Sequence, residues 1–368
     1  MKIRAAISDS QGGFSIETID LHPPGLGEVL VKIKASGICH TDYDSMTWDR
    51  PLIMGHEGAG IVEQIGEGVS SVKPGDAVML NWAIPCGTCY TCSDGRQHIC
   101  EENSMVTGKG GGATTSAYVN DQVIGSSFHL GTMAQATVVK EAAVVKMTSV
   151  MPFSSAAIVG CGVMTGYGSA VNAAAVKAGS TCAVIGCGGV GLNVIQGCRI
   201  SGALKIIAID LSEDRLQEAK KFGATHVIKA DKNDVDFVKV RQQVRALTEG
   251  RGADYAFECT AVPALGDAPL ALIRNSGMAV QASGIEQKIN FDCELFEWDK
   301  IYINPLYGQC KPQRDFPRLQ ELYKQGELLL DELVTCTYTL DELGQAFEDL
   351  LAGRNAKGVI IFDDEAPE

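Results

Sequence analysis

Over roughly the first eighty residues, apolar and polar positions alternate in short runs broken by glycine and proline. The stretches at 29–34 (Val-Leu-Val-Lys-Ile-Lys) and 60–65 (Gly-Ile-Val-Glu-Gln-Ile) carry the two-residue period of half-buried strands, and Lys73-Pro74-Gly75-Asp76 punctuates them as a turn. Many short strands with such punctuation predict a barrel-like β domain. Residues 80–135, rich in Gly, Cys, Ser and Thr, predict a long excursion, which in a compact protein needs its own anchor or a function. Near residue 165 the period changes. Strands are predicted at 181–185, 205–210, 226–229, 254–259 and 278–283, with helices through about 201 and at 215–222, 235–247 and 265–273. Strands and helices alternating at these lengths specify a doubly wound parallel sheet, so the fold class is α/β. From about residue 304 the chain leaves this pattern. Helices at 315–325 and 340–351 and a last strand at 358–362 are expected to return to the first domain. The expected division is therefore 1–162 with 304–368, and 163–303. The acidic stretch at 363–368 is expected to fray.

The chain has 368 residues, enough for two domains, and 31 basic against 45 acidic side chains give a net charge of −14. That balance speaks against nucleic acid and against an anionic membrane surface as partners. Apolar runs such as 203–209 are far shorter than the roughly 20 residues that cross a bilayer. The opening Met-Lys-Ile-Arg-Ala-Ala lacks a secretory apolar core, so the expected location is the cytoplasm. In such a chain, 13 cysteines read as metal or catalytic ligands before disulfides.

Cys86, Cys89, Cys92 and Cys100 place four thiols in one short segment. Tetrahedral Zn²⁺ takes four soft ligands, and two-residue gaps let a tight turn deliver successive sulfurs to one centre. A closed four-thiolate site has no open position and supplies folding energy to a loop with little core. His98 is an alternative to Cys100 as the fourth ligand. Cys39, His56 and Cys161 are dispersed, and each alone reads as readily as a core residue. Together they make two thiols and an imidazole, a set that holds a catalytic zinc with one position open. What tips the reading is Gly186-Cys187-Gly188-Gly189-Val190-Gly191, which follows a strand and opens a helix. Gly186 permits the turn, Gly188 lets backbone approach a pyrophosphate, Gly189 and Val190 begin the helix, and Gly191 allows close helix–strand packing. Asp210 ends the next strand, where a carboxylate accepts from an adenosine ribose and repels a 2′-phosphate, favouring NAD. Arg215 is also placed to reach that ribose.

With these segments in family order, together with Gly-x-Cys-His-Thr-Asp, Gly-His-Glu and Cys-Gly-x-x-Thr-Gly-Tyr-Gly, the sequence resembles the zinc-dependent alcohol dehydrogenases of the medium-chain dehydrogenase/reductase family. The resemblance covers nearly the whole chain and is strongest, over 161–230, to the class III-like branch and its bacterial aryl and allylic alcohol relatives. It implies a GroES-like β-rich catalytic domain and a Rossmann NAD-binding domain. It also implies two zinc ions per chain, small-molecule alcohols and aldehydes as substrates, and a homodimer. Thr41 is then the hydroxyl that takes the alcohol proton, Asp42 orients His56, and Glu57 lies beside the metal. Asp44 stands where relatives carry a relay histidine. His40 and Lys357 are implied for the pyrophosphate, and Thr165 for the nicotinamide. Trp82 is implied as one pocket wall, with His129 and Leu130 opposite.

One departure bears on substrate. Counting from Gly108-Lys109-Gly110, the arginine that anchors a glutathione carboxylate in class III relatives falls on Tyr118. The expected activity is therefore NAD-linked oxidation of an apolar, aromatic or allylic primary alcohol. The rivals are a thiol-dependent formaldehyde dehydrogenase and an enzyme that retains its NAD. The other seven cysteines (182, 187, 198, 259, 293, 310 and 336) read as core or near-core thiols.

Overall fold

Strands Lys2–Ser8, Phe14–Leu21, Ala117–Val119, Gln122–Ser126 and Leu52–Ile53 close a small barrel. The alternation seen in the sequence turns Ile3, Ile7, Ile19, Leu21 and Ile124 into its interior. This computed structural model describes residues 1–103, 117–119, 122–285 and 287–362. The Gly108-Lys109-Gly110 stretch and the acidic tail at 363–368 lie outside the described residues. The excursion expected over 80–135 is not wholly irregular, because two barrel strands come from it. At three and five residues they are too short for a period of two to stand out.

A second, seven-stranded sheet is organised around the long strand Glu28–Gly37, which pairs antiparallel with Gly58–Ile65, Ala136–Lys140 and Lys357–Ile361. The pairing with the C-terminal strand matters for chemistry, since it carries Lys357 to the residues that follow Gly37. Helix Leu343–Leu351 covers this region with Leu343, Ala346 and Phe347, packed on Ile38, Met54 and Met133.

The six-stranded sheet is wholly parallel, in the order His226–Lys229, Lys205–Asp210, Thr181–Ile185, Ala253–Glu258, Ile273–Gln281 and Ile301–Ile303. Its inner strands are apolar through their middles, at 182–185 and 206–209, as burial on both faces demands. In chain order this is 3-2-1-4-5-6, the dinucleotide-binding arrangement whose switch point lies between its first and fourth strands. Helix Glu213–Phe222 shows how local signals set these boundaries. Ser212 caps its first turn by accepting from Arg215 N, acidic residues open it, lysines close it, and Gly223 leaves it in the left-handed region.

The chain forms two units, Met1–Cys161 with Lys311–Glu368, and Gly162–Cys310. The second crossing thus falls at Lys311, later than the expected 304. The 3₁₀ turn Leu306–Gln309 stays with the sheet unit because Gly308 lies against Gly168, where a Cβ would meet Gly308 O at 2.5 Å. The helix expected over 265–273 is only Ala268–Leu272, since Ile273 already begins the next strand. Cys293 is exposed, not a core thiol.

Candidate active site

Asp42 organises the first cluster. Cys39 is the N-cap of the short helix His40–Asp44, and its amide donates to Asp42 Oδ2 at 3.0 Å. The other carboxylate oxygen, Oδ1, lies 2.7 Å from His56 Nδ1, and neither side chain is more than 2% exposed. One carboxylate therefore fixes the position of Cys39 and the tautomer and tilt of His56, leaving Nε2 turned inward. Nε2 lies 3.3 Å from Cys161 Sγ, which the π-helical turn Val159–Val163 presents. Ligand atoms of Cys39, His56, Glu57 and Cys161 all fall within 4.8 Å of one another. Ligands about 2.0–2.3 Å from a tetrahedral zinc are separated by about 3.3–3.8 Å, so the spacing suits that ion.

The electrostatics point the same way. Glu57 is fully buried, and among the described residues its Oε2 has no hydrogen-bond partner. Burial pushes its carboxyl up to about 7 against the pull of Lys357, whose Nζ lies 2.5 Å from Oε1 and donates to Ile38 O at 2.9 Å. The hydrogen bond from Cys161 holds the Cys39 thiol well below its usual range despite burial, with Lys357 and His56 helping. The same contact, with burial, pushes Cys161 well up. For His56, burial favours the neutral ring, but the Asp42 carboxylate outweighs it and raises the pKa. Two sulfurs of half-buried cysteines, one buried ring nitrogen and an orphaned carboxylate oxygen form a donor set that a divalent cation would satisfy. Asp42→Asn is expected to weaken zinc retention and alcohol turnover about 10–100-fold. Zinc content after dialysis against graded chelator checks this, and retention equal to wild type would contradict it.

The second cluster lies on the loop carrying the short helix Tyr90–Ser93. Sγ atoms of Cys86, Cys89, Cys92 and Cys100 lie within 4.8 Å of one another, with Cys89 and Cys100 at 3.9 Å. Backbone amides of Thr88 and Cys89 donate to Cys86 Sγ, and that of Cys86 donates to Cys100 Sγ, which favours the thiolate form. Thr91 and nearby amides hold Cys89 down to about 6, whereas burial pushes Cys92 up to about 12. His98 is not among these four, so Cys100 completes the set. Burial, Arg96 and Lys311 lower His98 to about 4.

In the sheet unit, Gly186 has φ +89°, and a Cβ on Gly191 would lie 1.8 Å from Gly186 O, so both positions demand glycine. Gly188 caps helix Gly189–Ile200. Asp210 does more than the sequence suggested. Its Oδ2 accepts from Cys187 N at 2.8 Å and its Oδ1 from Ser212 N at 2.9 Å, tying the glycine turn to the end of the neighbouring strand. A carboxylate has about four acceptor sites, so capacity for a ribose remains. Arg215 sits in the first turn of the following helix, and half-buried Thr165 in the helix Met164–Gly168.

The remaining positions are less uniform. Thr41 Oγ1 lies 3.7 Å from Cys39 Sγ, while His40 and Asp44 are exposed. Lys357, implied for the pyrophosphate, is engaged with Glu57 and Ile38 O. Trp82 is buried and lies 5.1 Å from Phe128; Leu130 is fully buried and His129 half-buried. Phe128 also lies 4.9 Å from the His56 ring and 5.7 Å from Trp48. Phe128 and Trp48 were missed. The signal was available only as aromatic residues flanking His129 and lying between Cys39 and His56.

A parallel sheet with a phosphate turn, in a chain whose other unit gathers zinc-type ligands, defines a dehydrogenase. Residues 25–149 match the alcohol dehydrogenase GroES-like domain family, and 189–322 match the zinc-binding dehydrogenase family. The chain is 36% identical over 374 residues to a protein named putative alcohol dehydrogenase D of Mycobacterium tuberculosis, covering 98% of this chain and 100% of that protein. It is 35% identical over 378 residues to an NDMA-dependent alcohol dehydrogenase of Amycolatopsis methanolica, with 98% and 99% covered. Benzyl alcohol dehydrogenase of Acinetobacter calcoaceticus superposes with a TM-score of 0.89 at 30% identity, over 99% of this chain and 100% of that one. The chain belongs to the zinc-dependent alcohol dehydrogenases of the medium-chain dehydrogenase/reductase family. It is an oxidoreductase of the alcohol dehydrogenase type, in a family that works on small-molecule alcohols and aldehydes with zinc and NAD(H).

Proposed function

We propose that this enzyme oxidises an apolar primary alcohol, aromatic or allylic, reversibly to its aldehyde, with NAD as acceptor and two zinc ions per chain. The observation that carries the substrate reading is an aromatic group in which Phe128 lies on the ring of His56 and both Trp48 and Trp82 pack edge-on to Phe128. Such a surface favours an arene or alkene and offers nothing to a charged thiol adduct. Tyr118, where a carboxylate-binding arginine is implied for glutathione users, instead stacks on His22 with ring centroids 4.5 Å apart.

In this reading Cys39, His56 and Cys161 would hold one zinc, which when bound would supply Lewis acidity to the reacting oxygen, with NAD as the hydride acceptor. Thr41 Oγ1 would take the alcohol's proton while passing its own on to the cofactor ribose. Asp42 keeps the His56 ring in its ligating tautomer, and Lys357 neutralises Glu57. Cys86, Cys89, Cys92 and Cys100 hold the other zinc for stability. The glycine turn receives the pyrophosphate, and Asp210 receives the ribose.

Two measurements test this reading. Benzyl or allylic alcohol is expected to be turned over in clear preference to S-hydroxymethyl-glutathione, and the opposite order refutes the substrate assignment. NAD is expected to be preferred over NADP, with Asp210→Ser eroding the preference about 10–100-fold through loss of a charged hydrogen bond. An unchanged ratio contradicts the role of Asp210. A second reading, favoured by the likeness to the NDMA-dependent enzyme, is that NAD stays bound through turnover. Nicotinamide absorbance retained after dialysis supports it.

We read the assembly as a homodimer. Edge strand Ile301–Ile303 is flanked by an exposed apolar surface, with Trp298 67% and Ile301 48% exposed. Among the described residues no helix is long and apolar enough to cross a membrane. Cysteines used as ligands and core thiols fit a reducing compartment, which supports the cytoplasm.

A further inference from the structure

Glu258 ends the strand Ala253–Glu258 at the place where the order of the parallel sheet reverses, and Ile185 is its register partner. Ile185 leads directly into the glycine turn. Cys259 N donates to Ile185 O at 2.9 Å, and a Cβ on Gly186 would meet Thr260 Cγ2 at 2.6 Å. The chain leaving Glu258 therefore runs against the phosphate turn. Ligands of open parallel sheets bind outside the strand carboxyl ends at such a switch point.

Glu258 is fully buried, and among the described residues no basic side chain pairs with it. A buried carboxylate without a cation is costly unless hydrogen bonds replace its water. Here they do. Oε1 accepts from Thr260 N at 2.5 Å and from Thr260 Oγ1, and Oε2 accepts from Ser283 Oγ. Each hydroxyl, its proton given to the carboxylate, turns lone pairs to a loop amide. Val262 N donates to Thr260 Oγ1 and Ala261 N to Ser283 Oγ, both at 3.1 Å. The carbonyl of Glu258 takes Ala282 N at 2.9 Å and Ser283 N at 3.2 Å. Ala261 is held at φ +60°, a conformation unfavourable for a residue with a side chain. One carboxylate thus shapes the loops that follow two adjacent strands, at 259–262 and 282–284, beside the turn meant for phosphate.

We propose that Glu258 is a positioning residue for the dinucleotide. Through Thr260 and Ser283 it holds these two loops in the shape that receives NAD(H), and it does not act on the alcohol. The inference rests on the reading that the glycine turn binds NAD.

The test uses the zinc-loaded full-length enzyme as wild type, Glu258→Gln, Thr260→Ala and Ser283→Ala. NADH dissociation constants come from fluorescence titration, set beside KM for NAD, KM for the alcohol, kcat, zinc content and Tm. A carboxamide cannot accept at both positions. Glu258→Gln is therefore expected to raise the NADH dissociation constant and KM for NAD about tenfold or more, and each hydroxyl deletion about threefold. KM for the alcohol and zinc content should stay at wild-type values, and kcat should fall less than KM for NAD rises. A Glu258→Gln enzyme that binds NADH like wild type overturns the proposal. So does a parallel loss of both KM values and Tm, the mark of a merely structural role. Should Glu258→Gln not fold, unchanged NADH affinity in both hydroxyl variants overturns it equally. Wild-type titration reports separately on the underlying reading, since failure to bind NADH overturns both.

Discussion

Cys161→Ala is expected to abolish zinc binding at the proposed catalytic site and to lower kcat for alcohol oxidation by about three orders of magnitude or more. A metal Lewis acid contributes several kcal/mol to the transition state, and each 1.4 kcal/mol or so is tenfold in rate. Cys161 is the ligand without a local substitute. Cys39 and His56 are tied by Asp42, whereas Cys161 arrives alone from the turn Val159–Val163. Its loss leaves Cys39 and His56 with no second sulfur, and the free oxygen of Glu57, whose other oxygen is held by Lys357, is a hard donor in place of a soft one. Metal analysis beside steady-state kinetics checks this. Two zinc ions per chain with near wild-type kcat would show that the cluster has another purpose.

Cys100→Ala is expected to act on stability. The loop from 86 to 100 has a four-residue helix, a 3₁₀ turn and few apolar side chains, so its order depends on what its thiols bind. Cys100 is 1% exposed and is the sulfur to which Cys86 N donates. Structural zinc contributes directly to folding free energy. Its loss should cost about 3 kcal/mol or more, a fall in Tm of ~6 °C at roughly 2 °C per kcal/mol. Enzyme that survives the change should keep its KM for alcohol, because none of the four sulfurs belongs to the ligand group at His56. Calorimetry with zinc analysis separates the outcomes, and an unchanged Tm with one zinc lost would contradict the structural role.

Much of this was legible in the sequence because it depends on residue types that few other uses explain. Three thiols at two-residue spacing with a fourth shortly after, a glycine turn between a strand and a helix, and a carboxylate at the next strand end each carry their reason locally. Cys39, His56 and Cys161 were legible only jointly, and the fold brings them together across more than a hundred residues. What stayed hidden has no local signature. Phe128 became a contact of His56 and Trp82 through a left-handed backbone at φ +50°, which no pattern of apolar residues announces. Asp210 looked like a ribose ligand alone, but its ties to Cys187 and Ser212 need the neighbouring strand in place. Glu258 carries no signal in the sequence, because the role proposed for it depends on Ser283, brought beside it by parallel pairing. The crossing at 311 escaped notice because it rests on contact between two glycines, Gly168 and Gly308.

Diffraction from the zinc-loaded enzyme on both sides of the zinc absorption edge addresses the central claim most directly. Two anomalous peaks per chain are predicted, one among Cys86, Cys89, Cys92 and Cys100, the other about 2.3 Å from the sulfurs of Cys39 and Cys161 and bonded to His56 Nε2. A lone peak at the four-cysteine loop in a catalytically active crystal form would contradict the account.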